Sequence, residues 1–266
     1  KSKDSLSFDL IANNIKTNRK KDILLATELP ILMIKQPNDT LYVSADTLYS
    51  GRLSDLTRKI PKARAKEEQL KDSSLNKYFE AFHHVKIYSD SMQGVADSLF
   101  YSLADSTIRL HNKPILWVNE NQITGDTIYM HLNNKKAEQL RILNNAMAIS
   151  PVDSTDYFNQ LKGNSIIVDF MDGKIHKMQT KGSAENIYFT TDDEGKFIGV
   201  NQSNAQIITI DFNNDEPVKI VFINQLTGKM TPMFDLPKSA LKLNNFKWLI
   251  DLKPMSKFDI LSPKGN

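Results

Sequence analysis

The chain has 266 residues, 40% of them hydrophobic, with 34 Lys/Arg against 31 Asp/Glu, a formal net charge of +3 and no cysteine. The apolar share supplies a core and excludes wholesale disorder. The near-balance of interspersed charges argues against a dedicated nucleic-acid binder, and the missing cysteine removes disulfides, cysteine–zinc sites and thiol catalysis.

No apolar run is long enough to span a bilayer as a helix. An opening at Lys1, without a charged-then-apolar leader, leads to the expectation that a signal peptide or anchor has been trimmed.

Taken in chain order, the elements read as β and recur. A tetrad of a small residue, Asp/Asn/Glu, Ser/Thr/Asn and Leu/Ile starts as a weak copy at Ala12-Asn13-Asn14-Ile15. Stronger copies follow at Ala45-Asp46-Thr47-Leu48, Ala96-Asp97-Ser98-Leu99 and Gly125-Asp126-Thr127-Ile128. Gly163-Asn164-Ser165-Ile166 and Ala184-Glu185-Asn186-Ile187 continue the series, and Asn204-Ala205-Gln206-Ile207 is a second weak copy. Two longer segments also match: Ile23 through Pro30 to Asp46, and Ile108 through Pro114 to Asp126. Repetition on this scale marks a stacked architecture.

Between the tetrads, Val85-Lys86-Ile87-Tyr88, Ile166-Ile167-Val168, Ile207-Ile208-Thr209-Ile210 and Val218-Lys219-Ile220-Val221 are β-branched runs. Turn formers such as Asp172-Gly173, Asn213-Asn214 and Thr227-Gly228 separate them. Short strands without intervening helices exclude a βαβ fold. Within a tetrad the Leu/Ile should face the core, the residue before it should point outward, and the Asp or Asn should cap backbone at a bend.

One stretch departs from this pattern. Residues 52–77 are highly charged, with Lys62-Ala63-Arg64-Ala65-Lys66-Glu67-Glu68 at the centre. Glu67, Glu68 and Lys71 suit a short helix that Pro61 limits; the reading is a solvated insertion, its rival a basic arm for an acidic partner. After Pro232 the chain is proline-punctuated around Phe246-Lys247-Trp248-Leu249-Ile250. The expected division is one β-repeat domain over 1–235 and a C-terminal tail over 236–266 packing on the last strands.

Catalytic chemistry is not legible. The histidines His83, His84, His111, His131 and His176 form no metal motif. The adjacent His83 and His84 should point to opposite faces of a strand. No nucleophile elbow, phosphate loop or dinucleotide fingerprint occurs. Asp46, Asp97 and Asp126 could form a glycosidase pair or a cation ladder, but a role repeated in every layer is a role in the turns. Tyr49, Phe100, Tyr101, Tyr129, Tyr188 and Phe189 read as a core ladder, with a ligand groove as the alternative.

The order and number of these motifs resemble the OstA/LptA lipopolysaccharide-transport family, in its OstA-like form from Bacteroidetes-type bacteria. The resemblance is carried by Asp39-Thr40-Leu41-Tyr42-Val43-Ser44-Ala45-Asp46-Thr47-Leu48-Tyr49-Ser50 and by Val85-Lys86-Ile87-Tyr88-Ser89-Asp90 with Gly94-Val95-Ala96-Asp97-Ser98-Leu99. Pro114-Ile115-Leu116-Trp117, Ile123-Thr124-Gly125-Asp126-Thr127-Ile128-Tyr129, Asn159-Gln160-Leu161-Lys162-Gly163-Asn164, Gly182-Ser183-Ala184-Glu185-Asn186-Ile187-Tyr188 and Gly199-Val200-Asn201 complete it.

The resemblance implies an all-β, twisted, semi-open β-jellyroll (a β-taco) built from repeated antiparallel strands, in the periplasm of a Gram-negative cell. It implies a non-enzymatic module without cofactor or metal that binds lipopolysaccharide through the acyl chains of lipid A. It also implies edge-strand pairing with other β-jellyroll transport proteins, head-to-tail self-association, and no nucleic-acid partner. The groove candidates are Leu48, Leu99, Ile128, Ile166, Ile187 and Ile207. Two rival readings stand beside it: a β-repeat scaffold that docks proteins through edge strands without carrying lipid, and a carbohydrate-active β-helix using the aspartates.

Overall fold

The computed structural model describes residues 8–35, 39–56, 75–134, 136–152, 155–192, 194–214, 216–232 and 235–261. The charged centre of the insertion, residues 62–68, lies outside them. The fold is all-β and antiparallel, as the alternation of apolar and polar side chains leads one to expect. The chain divides into two compact units, the first running to Leu116 with Tyr129–Lys136 and the chain from Leu252, the second comprising Trp117–Ile128 and Ala137–Asp251.

In the first unit the strands are β1 (Phe8–Ile11), β2 (Asn14–Asn18), β3 (Ile23–Thr27), β4 (Ile31–Lys35), β5 (Thr40–Ser44) and β6 (Thr47–Gly51). A 3-10 turn at Leu53–Asp55 follows β6, and β7 (Tyr78–Tyr88), β8 (Met92–Ser102) and β9 (Thr107–His111) come next among the described residues. The strands form two ladders. One runs β1, β4, β5, β7, β8; the other runs β2, β3, β6, β7, β8, β9. β7 and β8 belong to both because each turns a corner midway, where the register slips between Phe82 and Val85.

That corner explains the tetrads. His83 and His84 both adopt the left-handed conformation, at φ of 58° and 52°, so strand alternation fails there. Instead of opposite faces, both rings lie outside and pair with tetrad aspartates: His84 Nδ1 is 2.8 Å from Asp46 Oδ2 and His83 Nδ1 is 3.1 Å from Asp97 Oδ1. The backbone N–H of Asp46 donates to the His83 carbonyl. Asn112, the first of the next left-handed pair, donates its amide to the other oxygen of Asp97. The tetrad carboxylates thus brace the kink of the neighbouring strand.

Rows across the second ladder place the core. Ala26, Leu48, Ala81, Leu99 and Leu110 are directly opposite one another in turn, and none is more than 5% exposed. Arg109 is also buried, paired with Asp105 and set against the Phe100 and Tyr129 rings. A helical turn at Lys257–Leu261 adds the buried Ile260, and Lys86 Nζ donates to the Asp259 carbonyl at 2.9 Å.

Between β9 and the long strands the chain forms β10 (Ile115–Val118), β11 (Asn121–Thr124) and β12 (Thr127–Asn133). β13 (Lys136–Pro151), β14 (Phe158–Met171), β15 (Lys174–Thr191) and β16 (Phe197–Asn213) are between 14 and 18 residues long. They exceed their sequence punctuation because a tetrad bends a strand without ending it. The bends fall at Asn144-Asn145 in β13 and Gly182-Ser183 in β15, all at positive φ, with register slips beside them. Asn145 donates to both oxygens of Asp126, repeating the brace.

The second unit again has two ladders. One ends at β17 (Glu216–Ile223), the other at β18 (Thr227–Thr231), each paired to one half of β16. Both terminal strands are largely exposed, Val218 and Met230 included.

The small first residue of a tetrad has a steric reason. A Cβ built on Gly163 would stand 2.5 Å from Thr180 Cγ2 and 3.1 Å from the Lys181 carbonyl. At Gly125 it would collide with Ile142 Cγ2. The bent strand passes too close for a side chain.

Candidate functional site

Of the six residues marked as inward-facing, Leu48 and Leu99 come together. They line a cavity of about 300 Å³ inside the first unit. Its hollow has a local cause. In the row Leu48–Ala81–Leu99, the small Ala81 lies between two leucines and leaves the space that a larger residue would fill. Leu10, Leu24, Leu32 and Val43 complete the apolar wall. The lining also carries the charged residues Arg19, Asp22, Lys77 and Glu80, with Lys77 Nζ 3.3 Å from Asp22. An apolar body with a few charged groups has the character of a site for an amphiphile.

The other four candidates belong to the second unit. Ile128 and Ile166 are fully buried. Ile187 is buried in a cluster with Phe189, Val200 and Leu241. Ile207 is half-buried, one residue from the fully buried Ile208 and therefore on the opposite strand face.

Sequence reasoning missed a second feature. Gln122, Ile149, Gln160, Ile187 and Gln202 form one cross-strand row through β11, β13, β14, β15 and β16. The three glutamines hold the chain segment that follows β18. Gln122 Nε2 donates to the Lys247 carbonyl and its Oε1 accepts from the Leu249 N–H, both at 2.7 Å. Gln160 clasps the Leu241 carbonyl and the Leu243 N–H, both at 2.8 Å, and Gln202 Nε2 donates to the Ala240 carbonyl at 2.8 Å. A signal existed: the dipeptide Asn-Gln occurs four times, at Asn121-Gln122, Asn159-Gln160 and Asn201-Gln202 in the row and at Asn224-Gln225 in an exposed bend outside it.

The same segment is anchored by its apolar side chains. Leu236, Leu241 and Leu243 join the cluster around Ile187 and Phe189, and the Phe246 and Trp248 rings lie 5.3 and 5.0 Å from that of Phe158.

Titratable chemistry is modest. Asp97 is held below the usual carboxylate range by its hydrogen bond from His83 and then by Asn112. Burial pushes the Tyr101 phenol up to about 12. Among the described residues, no group of three or more His, Asp or Glu is placed to hold a metal ion.

No protein-family model matches the chain, and no curated protein matches it. Among solved structures, it is similar to LptH from Pseudomonas aeruginosa, described as the LptA-homologous periplasmic component of the conserved lipopolysaccharide transport device. That likeness has a TM-score of 0.42 at 12% identity, and covers 53% of this chain and 95% of that one.

Proposed function

We propose that this chain is a non-enzymatic, periplasmic module that binds lipopolysaccharide through its acyl chains, in transport or assembly toward the outer membrane. The observation that carries the reading is the cavity of about 300 Å³ walled by Leu10, Leu24, Leu32, Val43, Leu48 and Leu99. Such a hollow accepts a portion of an acyl chain, each buried methylene contributing about 0.8 kcal/mol. The motif series from Asp39 to Asn201 supports the same reading. Nothing in transport of this kind requires bond chemistry from the module.

The test is photo-crosslinking to lipopolysaccharide from a probe replacing Leu48 and, separately, from one replacing its strand neighbour Thr47. Crosslinks from 48 and none from 47 support an internal lipid site. Equal yields, or none from a folded protein, reject it.

A second reading, a scaffold that docks proteins through edge strands without carrying lipid, is favoured by the exposed terminal strands Glu216–Ile223 and Thr227–Thr231. Head-to-tail self-association would use the same strands. A concentration-dependent mass in solution, abolished by proline substitution at Lys219 and Ile220, supports that use of the edges.

A further inference from the structure

Charge is spread unevenly along the chain. Residues 236–266 carry six lysines and two aspartates, a net +4 against +3 for the whole sequence, so residues 1–235 sum to −1. Lys238, Lys242, Lys247 and Lys257 are exposed. A basic terminal segment on an otherwise balanced chain is complementary to an anionic surface.

The same segment also shows apolar side chains to water. Leu252, Met255 and Phe258 are 54, 70 and 63% exposed, all within seven residues. The turn that bears them is built rather than frayed. Pro254 and Ile260 are buried, and the helical turn at Lys257–Leu261 packs on β5 and β7. The Asp259 carboxylate accepts from the Met255 and Ser256 N–H groups at 2.7 and 3.0 Å. Lys257 Nζ stands 5.5 Å from the centre of the Phe258 ring. Its stem thus covers an apolar group while the ammonium stays in water, as long basic side chains do at a lipid headgroup.

Acidic groups stand near the turn as well. Asp251 and Asp259 belong to the segment, and the Tyr88 phenol is raised by burial and then by Asp90, Asp39 and Asp259. The turn itself is therefore close to neutral, and the excess charge sits on the exposed lysines that precede it.

We propose that the C-terminal segment docks on the surface of an anionic lipid bilayer. The lysines draw it in, and Leu252, Met255 and Phe258 enter the headgroup region. Size decides the kind of partner. Three side chains on one turn are too few for a standard protein interface, which takes roughly 20–30 residues a side, whereas a bilayer demands no complementary shape. Each signal alone gives marginal, reversible attachment, and the two together hold. Among the described residues no helix is long and apolar enough to cross a membrane, so the contact is made at the surface. The cavity of the first unit plays no part in it.

The experiment is flotation of the full chain with vesicles of phosphatidylcholine, alone or with about a third phosphatidylglycerol. Wild type should float with the anionic vesicles at least about tenfold better than with the neutral ones, and lose the advantage as salt rises. Leu252→Ser with Met255→Ser and Phe258→Ser should cut anionic flotation at least about tenfold. Val218→Ser with Met230→Ser, equally exposed but on the terminal strands, should leave it unchanged. Ala81→Phe should also leave it unchanged, so failure of the cavity reading does not touch this one.

A folded wild type that stays with neither vesicle overturns the proposal, as does a serine variant that floats like wild type. A serine variant that instead changes the mass of the chain in solution without vesicles makes a second copy the occupant, which also overturns it. Should the serine variant misfold, Lys238→Gln with Lys242→Gln and Lys247→Gln decides. An equivalent loss of anionic flotation supports the docking, and unchanged flotation rejects it.

Discussion

Ala81→Phe separates cavity from core. Ala81 is 1% exposed, so in a closed core a phenyl ring there would overpack at about 1–3 kcal/mol. Here the ring enters existing space between Leu48 and Leu99. Burying it returns roughly 1.5–3 kcal/mol, so folding stability should stay within about 1–2 kcal/mol of wild type. The ligand fares differently. The added ring takes the room of roughly three to four methylenes, each worth ~0.8 kcal/mol. Acyl affinity should fall by about 3 kcal/mol, roughly a hundredfold in Kd. Urea denaturation gives the first quantity and titration with a fluorescent fatty acid the second. A folded Ala81→Phe that binds within about threefold of wild type would refute the assignment of this hollow as the site.

Gly163→Ala should lower stability by about 1–3 kcal/mol, since its Cβ meets Thr180 and the Lys181 carbonyl; the urea midpoint reports it. Asp97 has a folded pKa below its unfolded one, so its contribution is present above the unfolded value near 3.8 and fades as pH falls through the folded value. Asp97→Asn should therefore flatten the acid limb of a stability–pH curve and leave its neutral region parallel to wild type. Tyr101 behaves oppositely. Raised from 10.0 to about 12 by burial, it stabilises fully below pH 10 and loses that contribution as pH rises toward 12. The shift corresponds to about 2–3 kcal/mol, and Tyr101→Phe should abolish that share of the alkaline loss in guanidinium titrations.

The β class was legible because Val85–Tyr88, Ile166–Val168 and Ile207–Ile210 alternate or branch as strands do. The tetrads marked true structural positions, since Asp46, Asp97 and Asp126 all stand at bends. What could not be read was the other half of each bend. His83-His84, Asn144-Asn145 and Gly182-Ser183 share the left-handed conformation but no common composition, and their partners lie across the sheet. The cavity was half legible. Leu48 and Leu99 follow from alternation, whereas the hollow depends on Ala81 standing between them in a register that only pairing defines. The glutamine row escaped because a glutamine in a strand normally faces water. Gln122 and Gln160 are buried only because the segment beyond β18 returns to supply their partners.

The corners also divide each long strand into two halves that answer separately to insertion. In β7, Tyr78–Phe82 pairs within one ladder and Val85–Tyr88 within the other. One residue added after Val85 would turn Ile87 outward and Lys86 inward. Leu48, Ala81 and Leu99 would keep their places, because Tyr78–Phe82 precedes the inserted residue and keeps its pairing with β6 and β8. Single-residue length changes in this chain should thus be confined to one face at a time. A lineage could remodel one ladder's lining by insertion while inheriting the other unaltered.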